Sequence, residues 1–133
     1  MKSEFSKSWV ASKKPSKQIK YRANAPLHIK RKMLSAHLSK ELRQKYEKRS
    51  MPVRKGDKVI VQRGTHKGKE GSIDSVDTKR ECVNISGIDF VKKNGSKAFY
   101  PIKITNIMIK DLDMSDKKRK KIVERKEKAK SEK

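Results

Sequence analysis

The segment Gly64-Thr65-His66-Lys67-Gly68-Lys69-Glu70 is the part of the chain that comes nearest to a catalytic motif. A nucleotide-binding P-loop needs four residues between its glycines and a Ser or Thr after its lysine to meet magnesium. Here three residues separate Gly64 from Gly68, Glu70 takes the hydroxyl position, and no helical pattern follows. These departures argue against nucleotide hydrolysis. His28, His37 and His66 have no partners at metal-ligand or general-base spacing. Cys82, the single cysteine, can form neither an internal disulfide nor a zinc ribbon. The sequons Asn84-Ile85-Ser86 and Asn94-Gly95-Ser96 matter only in a secreted chain. No enzyme, no cofactor, no metal and no small-molecule substrate is therefore expected.

What the chain has in abundance is positive charge. It carries 38 Lys and Arg against 15 Asp and Glu, a formal charge of +23 over 133 residues. A field of that strength calls for a polyanionic partner, either nucleic acid or an anionic membrane surface. Membrane is the weaker choice, because no apolar run approaches the roughly 20 residues that span a bilayer and no signal-like segment opens the chain. A cytosolic nucleic-acid-binding protein is expected. The charge is uneven: residues 1–52 hold 15 basic and 3 acidic residues, residues 53–110 hold 13 and 6, and residues 111–133 hold 10 and 6.

The elements that must carry these cations fall into four segments. Residues 1–21 show no sustained period, and residues 1–25 read as a basic extended tail, disordered when free, with Phe5 and Trp9 as its large anchors. Residues 26–52 read as short helices: Pro26 suits a first helical position, and Leu27, Met33 and Leu34 recur at near-helical spacing. Ser39 is a fitting N-cap for a second helix in which Leu42 and Tyr46 lie four apart. All five of these apolar residues are expected to pack on the β core. Residues 53–110 supply that core, with strands expected at Lys58–Arg63, Gly71–Asp77, Glu81–Ser86, Ile88–Lys92 and Ala98–Ile109. Lys93-Asn94-Gly95 signals a hairpin, and Ile102, Ile104, Ile107 and Ile109 break parity near Asn106. Five short strands in so small a span predict a small barrel. In residues 111–133, Ser115-Asp116 reads as a cap before a basic helix from about Lys117 to Lys128, supported by Lys120–Glu124 and Glu124–Lys128 pairs.

Within this frame Val53-Arg54-Lys55-Gly56-Asp57-Lys58-Val59, followed by Gly64, Lys67-Gly68-Lys69, Gly71 and Val76-Asp77, resembles a KOW motif. Such motifs form the hairpin of small SH3-like barrels in ribosomal proteins and transcription elongation factors. Gly56, Gly64, Gly68 and Gly71 are its structural glycines, and at Gly71 a side chain is expected to clash or φ to be positive. The flanks narrow the resemblance. Asn24-Ala25-Pro26-Leu27-His28, Lys32 through Leu42, Lys45-Tyr46, Arg49 through Asp57, Phe99-Tyr100-Pro101-Ile102, Asn106 and Glu124-Arg125-Lys126 are similar to the archaeal and eukaryotic form of the KOW-domain large-subunit ribosomal protein, number twenty-four in the universal scheme. The likeness runs from about Lys14; Lys103 and Ile104 depart from it, standing where His and Pro would be expected.

The resemblance implies a mostly β core, a small SH3-like (KOW) barrel with a basic N-terminal extension containing short helices and a C-terminal basic helix. It implies a structural protein of the ribosome in the cytoplasm, nucleolar during assembly in a eukaryotic host. It would bind the 5′ region of large-subunit ribosomal RNA early in assembly and lie near the nascent-peptide tunnel exit. Neighbouring large-subunit proteins would be its other partners, with no membrane and no homo-oligomer. Expected RNA contacts are dispersed. They are Lys13, Lys14, Lys17, Lys20 and Arg22 in the tail; His28, Lys30, Arg31, Lys32, Lys40, Arg43 and Arg49 in the helical segment; Arg54, Lys55, Arg63, His66, Lys67 and Lys69 on the barrel; and Lys117, Lys118, Arg119 and Lys120 beyond it. Loop amides and ammonium groups around Lys67 would both face phosphates. The rival reading is a KOW-type transcription or chromatin adaptor that grips polymerase or DNA.

Overall fold

The computed structural model describes Phe5, Ser6, Ser8 and residues 11–131, with side chains through Arg125. Trp9 and the Lys128 side chain, for which the sequence suggests roles, lie outside the described residues. The chain begins with α1 (Pro15–Asn24) and α2 (Leu27–Met33), then β1 (Ser35–Leu38), α3 (Lys40–Tyr46) and β2 (Ser50–Pro52). The β region follows as β3 (Lys58–Val61), β4 (Glu70–Asp77), β5 (Cys82–Ile85), β6 (Asp89–Val91), β7 (Lys97–Phe99), β8 (Ile102–Lys103) and β9 (Ile107–Asp111), with a 3-10 turn at Ile104–Asn106. Helix α4 (Lys117–Ser131) closes the chain.

Seven strands form one sheet in the order β2-β1-β9-β3-β4-β5-β8, while β6 and β7 make a separate two-stranded ribbon. The β1–β9 pairing is parallel, His37 opposite Met108 and Leu38 opposite Ile109; the other pairings are antiparallel. One hydrophobic core draws on both edge strands, through Met51 of β2 and Ile102 of β8, and on Leu38, Val59, Ile73, Val83, Ile85 and Ile109 between them. The core is thus mostly β, in keeping with a small barrel-like sheet.

Four expectations are corrected. Residues 15–24 are helical where an extended tail is expected; Pro15 stands at the start of α1, where its missing N–H costs nothing. The segment expected to be purely helical contributes β1 and β2, because Leu34, Ala36, Leu38, Met51 and Val53 alternate into the core. The single strand expected over Ala98–Ile109 is three, pairing respectively with β6, β5 and β3. Pro101, lacking an N–H, separates the first two, and the 3-10 turn lets Ile102, Ile104, Ile107 and Ile109 all reach the core despite their broken parity. Leu27, expected to pack on the core, is 60% exposed.

The expected caps form. Ser39 Oγ accepts from the Leu42 N–H at 3.3 Å, and Asp116 Oδ1 accepts from the Lys118 N–H at 3.0 Å. The Asn94-Gly95 turn joins β6 to β7 with Gly95 at φ +81°.

Candidate nucleic-acid interface

The turn Arg54–Asp57 enters β3, and Gly56 at φ +91° makes its reversal. It places Asp57 wholly inside the protein. There the carboxylate accepts from the Arg54 N–H at 2.9 Å and the Asp113 N–H at 3.1 Å. Arg119 of α4 meets it side-on: Nη1 donates to Oδ1 at 2.6 Å and Nη2 to Oδ2 at 2.8 Å. The same guanidinium donates to the carbonyls of Asp113 and Pro52 at 2.9 and 3.1 Å. A buried, bidentate guanidinium has no reach to a phosphate, so Arg119 leaves the expected RNA-contacting set and becomes the latch of α4. Lys48 Nζ donates to the Ile122 carbonyl and Val123 enters the core, completing the dock.

Around this latch a groove of about 900 Å³ opens between α2, the Arg54–Asp57 turn, β4 and α4. Leu34, Val53 and Ile122 line it beside Arg119 and five further cations, Arg31, Lys32, Arg54, Lys55 and Lys118. Arg54 is paired with Asp116, and Lys55 lies 3.6 Å from Asp74. Among the described residues Arg31, Lys32 and Lys118 carry no ion pair, leaving the groove net positive.

The loop between β3 and β4 forms a second face. Gly64 and Gly68 have φ of +97° and +85°, and nothing lies within 4 Å of a Cβ at either. The loop closes on itself: Lys67 N–H donates to Gly64 O, Lys69 N–H to His66 O, and Gly68 N–H to Val61 O. Those three amides are consumed, so the expectation that they meet phosphates is corrected. The loop offers the exposed side chains of Arg63, Lys67 and Lys69, while His66 is half-buried edge-on to Tyr100 at 4.8 Å.

The remaining cations are spread over the helical flanks. Lys13, Lys14, Lys17, Lys20 and Arg22 are exposed on or beside α1, which buries no residue. His28, Arg31 and Lys32 are exposed on α2, with Lys30 half-buried. Lys40 and Arg49 are exposed, and so is Arg43, although its Nε donates to Leu38 O at 2.8 Å. On α4 Lys117, Lys118 and Lys120 point outward. His37 is half-buried in β1 with its Nδ1 enclosed and unbonded.

Among the described residues no group of three His, Cys, Asp or Glu is placed to hold a metal, and no helix is long and apolar enough to cross a membrane. Asp57 was missed in the sequence, and its signal was faint: one acid after Gly56 in a basic run, and one arginine among the lysines of 117–121. Bidentate pairing with a carboxylate is a task for arginine, not lysine.

Fold and surface together define a small β-sheet protein whose exterior is dominated by cations. The family model for ribosomal proteins L26 of eukaryotes and their archaeal counterparts matches residues 12–126, and the chain belongs to that family. It is 46% identical over 117 residues to the large ribosomal subunit protein uL24 of Korarchaeum cryptofilum, covering 88% of this chain and 89% of that one. It is 45% identical over 116 residues to the protein of the same name in Methanothrix thermoacetophila, covering 87% of this chain and all of that one.

Proposed function

We propose that the chain is a structural constituent of the large ribosomal subunit that binds the 5′ region of its RNA early in assembly and lies near the nascent-peptide tunnel exit. Its sheet is read as the SH3-like barrel of the KOW type. The observation that carries the reading is family membership over residues 12–126. The surface agrees with it: beyond the cationic groove, cations lie on every flank, which suits recognition of folded RNA through phosphates and 2′-hydroxyls. The relatives' names are those of ribosomal proteins, which favours the ribosome over a polymerase or DNA adaptor.

Binding is electrostatic clamping by α1, α2, the β3–β4 loop and the outward face of α4. Each phosphate neutralised should lower log affinity by about 0.7 to 0.9 per log unit of salt. A titration of the protein against a 5′-domain RNA fragment across a salt series tests this, and affinity indifferent to salt would overturn it. Sedimentation tests the location: the protein should stay with large subunits after a high-salt wash, and migration with polymerase instead would reinstate the adaptor reading.

A further inference from the structure

We propose that His66, Phe90 and Tyr100 form a platform on which an unpaired base of the bound RNA stacks. This rests on the RNA-binding reading and adds a ligand class that dispersed lysines cannot select. Phe90 and Tyr100 are 44% and 42% exposed, large rings left in water by a protein with a well-filled core. Tyr100 packs edge-to-face with both neighbours, its centroid 4.8 Å from His66 and 6.5 Å from Phe90. Register explains the cluster. Phe90 pairs with Ala98, and the Tyr100 N–H donates to Ile88 O at 3.0 Å, so Phe90, Ala98 and Tyr100 share one face of the β6–β7 ribbon. Val91 and Phe99 occupy the other face.

Exposed apolar patches on small proteins mark interaction sites. Charge selects the occupant here. His66 sits on the loop that bears Lys67 and Lys69, and the ribbon turn bears Lys92 and Lys93, four exposed lysines; Lys97, opposite Val91, lies on the other face. Lysines on the loop and the turn that flank the aromatic rings match a polyanion whose neutral parts are planar, which describes single-stranded RNA. An apolar protein segment would gain nothing from those flanking lysines. Loop and ribbon thus divide the work, the lysines holding phosphates and the rings holding a base.

The test uses the full chain, an unstructured oligouridylate and an RNA duplex of equal length, each titrated across a salt series. The double variant Phe90→Leu/Tyr100→Leu keeps apolar bulk and the ribbon fold, which its denaturation midpoint verifies. It should lose about tenfold affinity for the single strand, with the salt slope and duplex affinity unchanged. Tyr100→Trp should retain wild-type binding. Phe99→Ala, altering a ring of equal exposure on the opposite face, should change neither RNA. Lys67→Ala/Lys69→Ala should weaken both RNAs and flatten the salt slope. Unchanged single-strand affinity in the leucine variant would overturn the platform and give the ribbon to a protein neighbour. Equal loss on duplex, or an equal loss from Phe99→Ala, would overturn it too. A wild-type chain that binds neither RNA in a salt-dependent way would overturn the RNA reading itself.

Discussion

A Cβ on Gly71 would stand 2.5 Å from the Ser86 carbonyl oxygen and 2.6 Å from Ile85 Cγ2. Of the two reasons for glycine expected from sequence, close approach is the one that operates, since the backbone at Gly71 is not left-handed. Alanine there should cost about 1–3 kcal/mol by forcing β4 off β5, and valine more, as read by chemical denaturation; an unchanged midpoint would show that the two strands separate freely. Asp57 presents the opposite case, a contact that must be kept. Asp57→Ala strands the Arg119 guanidinium inside the protein and should cost about 3–5 kcal/mol, a large share of the roughly 5–15 kcal/mol that holds a domain folded. Arg119→Lys should rescue little, since one ammonium cannot reproduce two parallel bonds. Gly71 was readable from its place in a β-prone run, whereas Arg119 was not. Its neighbours in sequence are four solvated lysines, and its partner lies 62 residues away; composition reports the charge of such a run but not which member turns inward.

At the scale of elements, α4 is held at its start by two aspartates. The Asp113 carboxylate accepts from the Ser115 N–H at 2.9 Å and lies near Arg119 and Arg54; the backbone bond chiefly holds its pKa below the usual 3.8. The Lys118 N–H does the same for Asp116, with Arg54 adding to it. Both folded pKa values lie below the unfolded one. Their stabilisation is therefore complete above about pH 4 and is lost as pH falls through the lowered values. The protection factor of the Lys118 amide, with intrinsic exchange at each pH divided out, should fall below about pH 4 before that of the β core, and simultaneous loss would show that the cap does not act separately. The cap was readable because Ser115-Asp116 precedes a lysine-rich run, where a carboxylate favours a helix start. Strands β1 and β2 were not. Leu34 and Leu38 stand four apart, which suits a helix as well as a strand, and only Ala36 between them tips the pattern toward alternation. Burial against Met51 and Ile109 decides it, and those partners are distant in sequence.

Over the whole molecule, the barrel-like core was foreseeable from five β-prone runs, while the sheet order was not. Strand β9 lies between β1 and β3, joining the segment before the KOW-like turn to the segment after it. A chain truncated after Asn106 should fail to unfold cooperatively, because β2-β1 and β3-β4-β5-β8 lose the strand they share; a truncation after Met114 should keep a sheet core but lose the α4 latch. A cooperative transition in the shorter chain would show that the two parts close without β9.

That placement also fixes an order of events during synthesis. Strand β9 is the last strand to leave a translating ribosome, yet it fills the middle of the sheet. Until Ile107 through Asp111 emerge, the earlier strands hold two incomplete edges and a half-made core, while most of the chain's cations are already outside. Pairings between segments far apart in the chain are also slow to form. The interval in which that half-made core stays open therefore lasts until those last few strand residues are made.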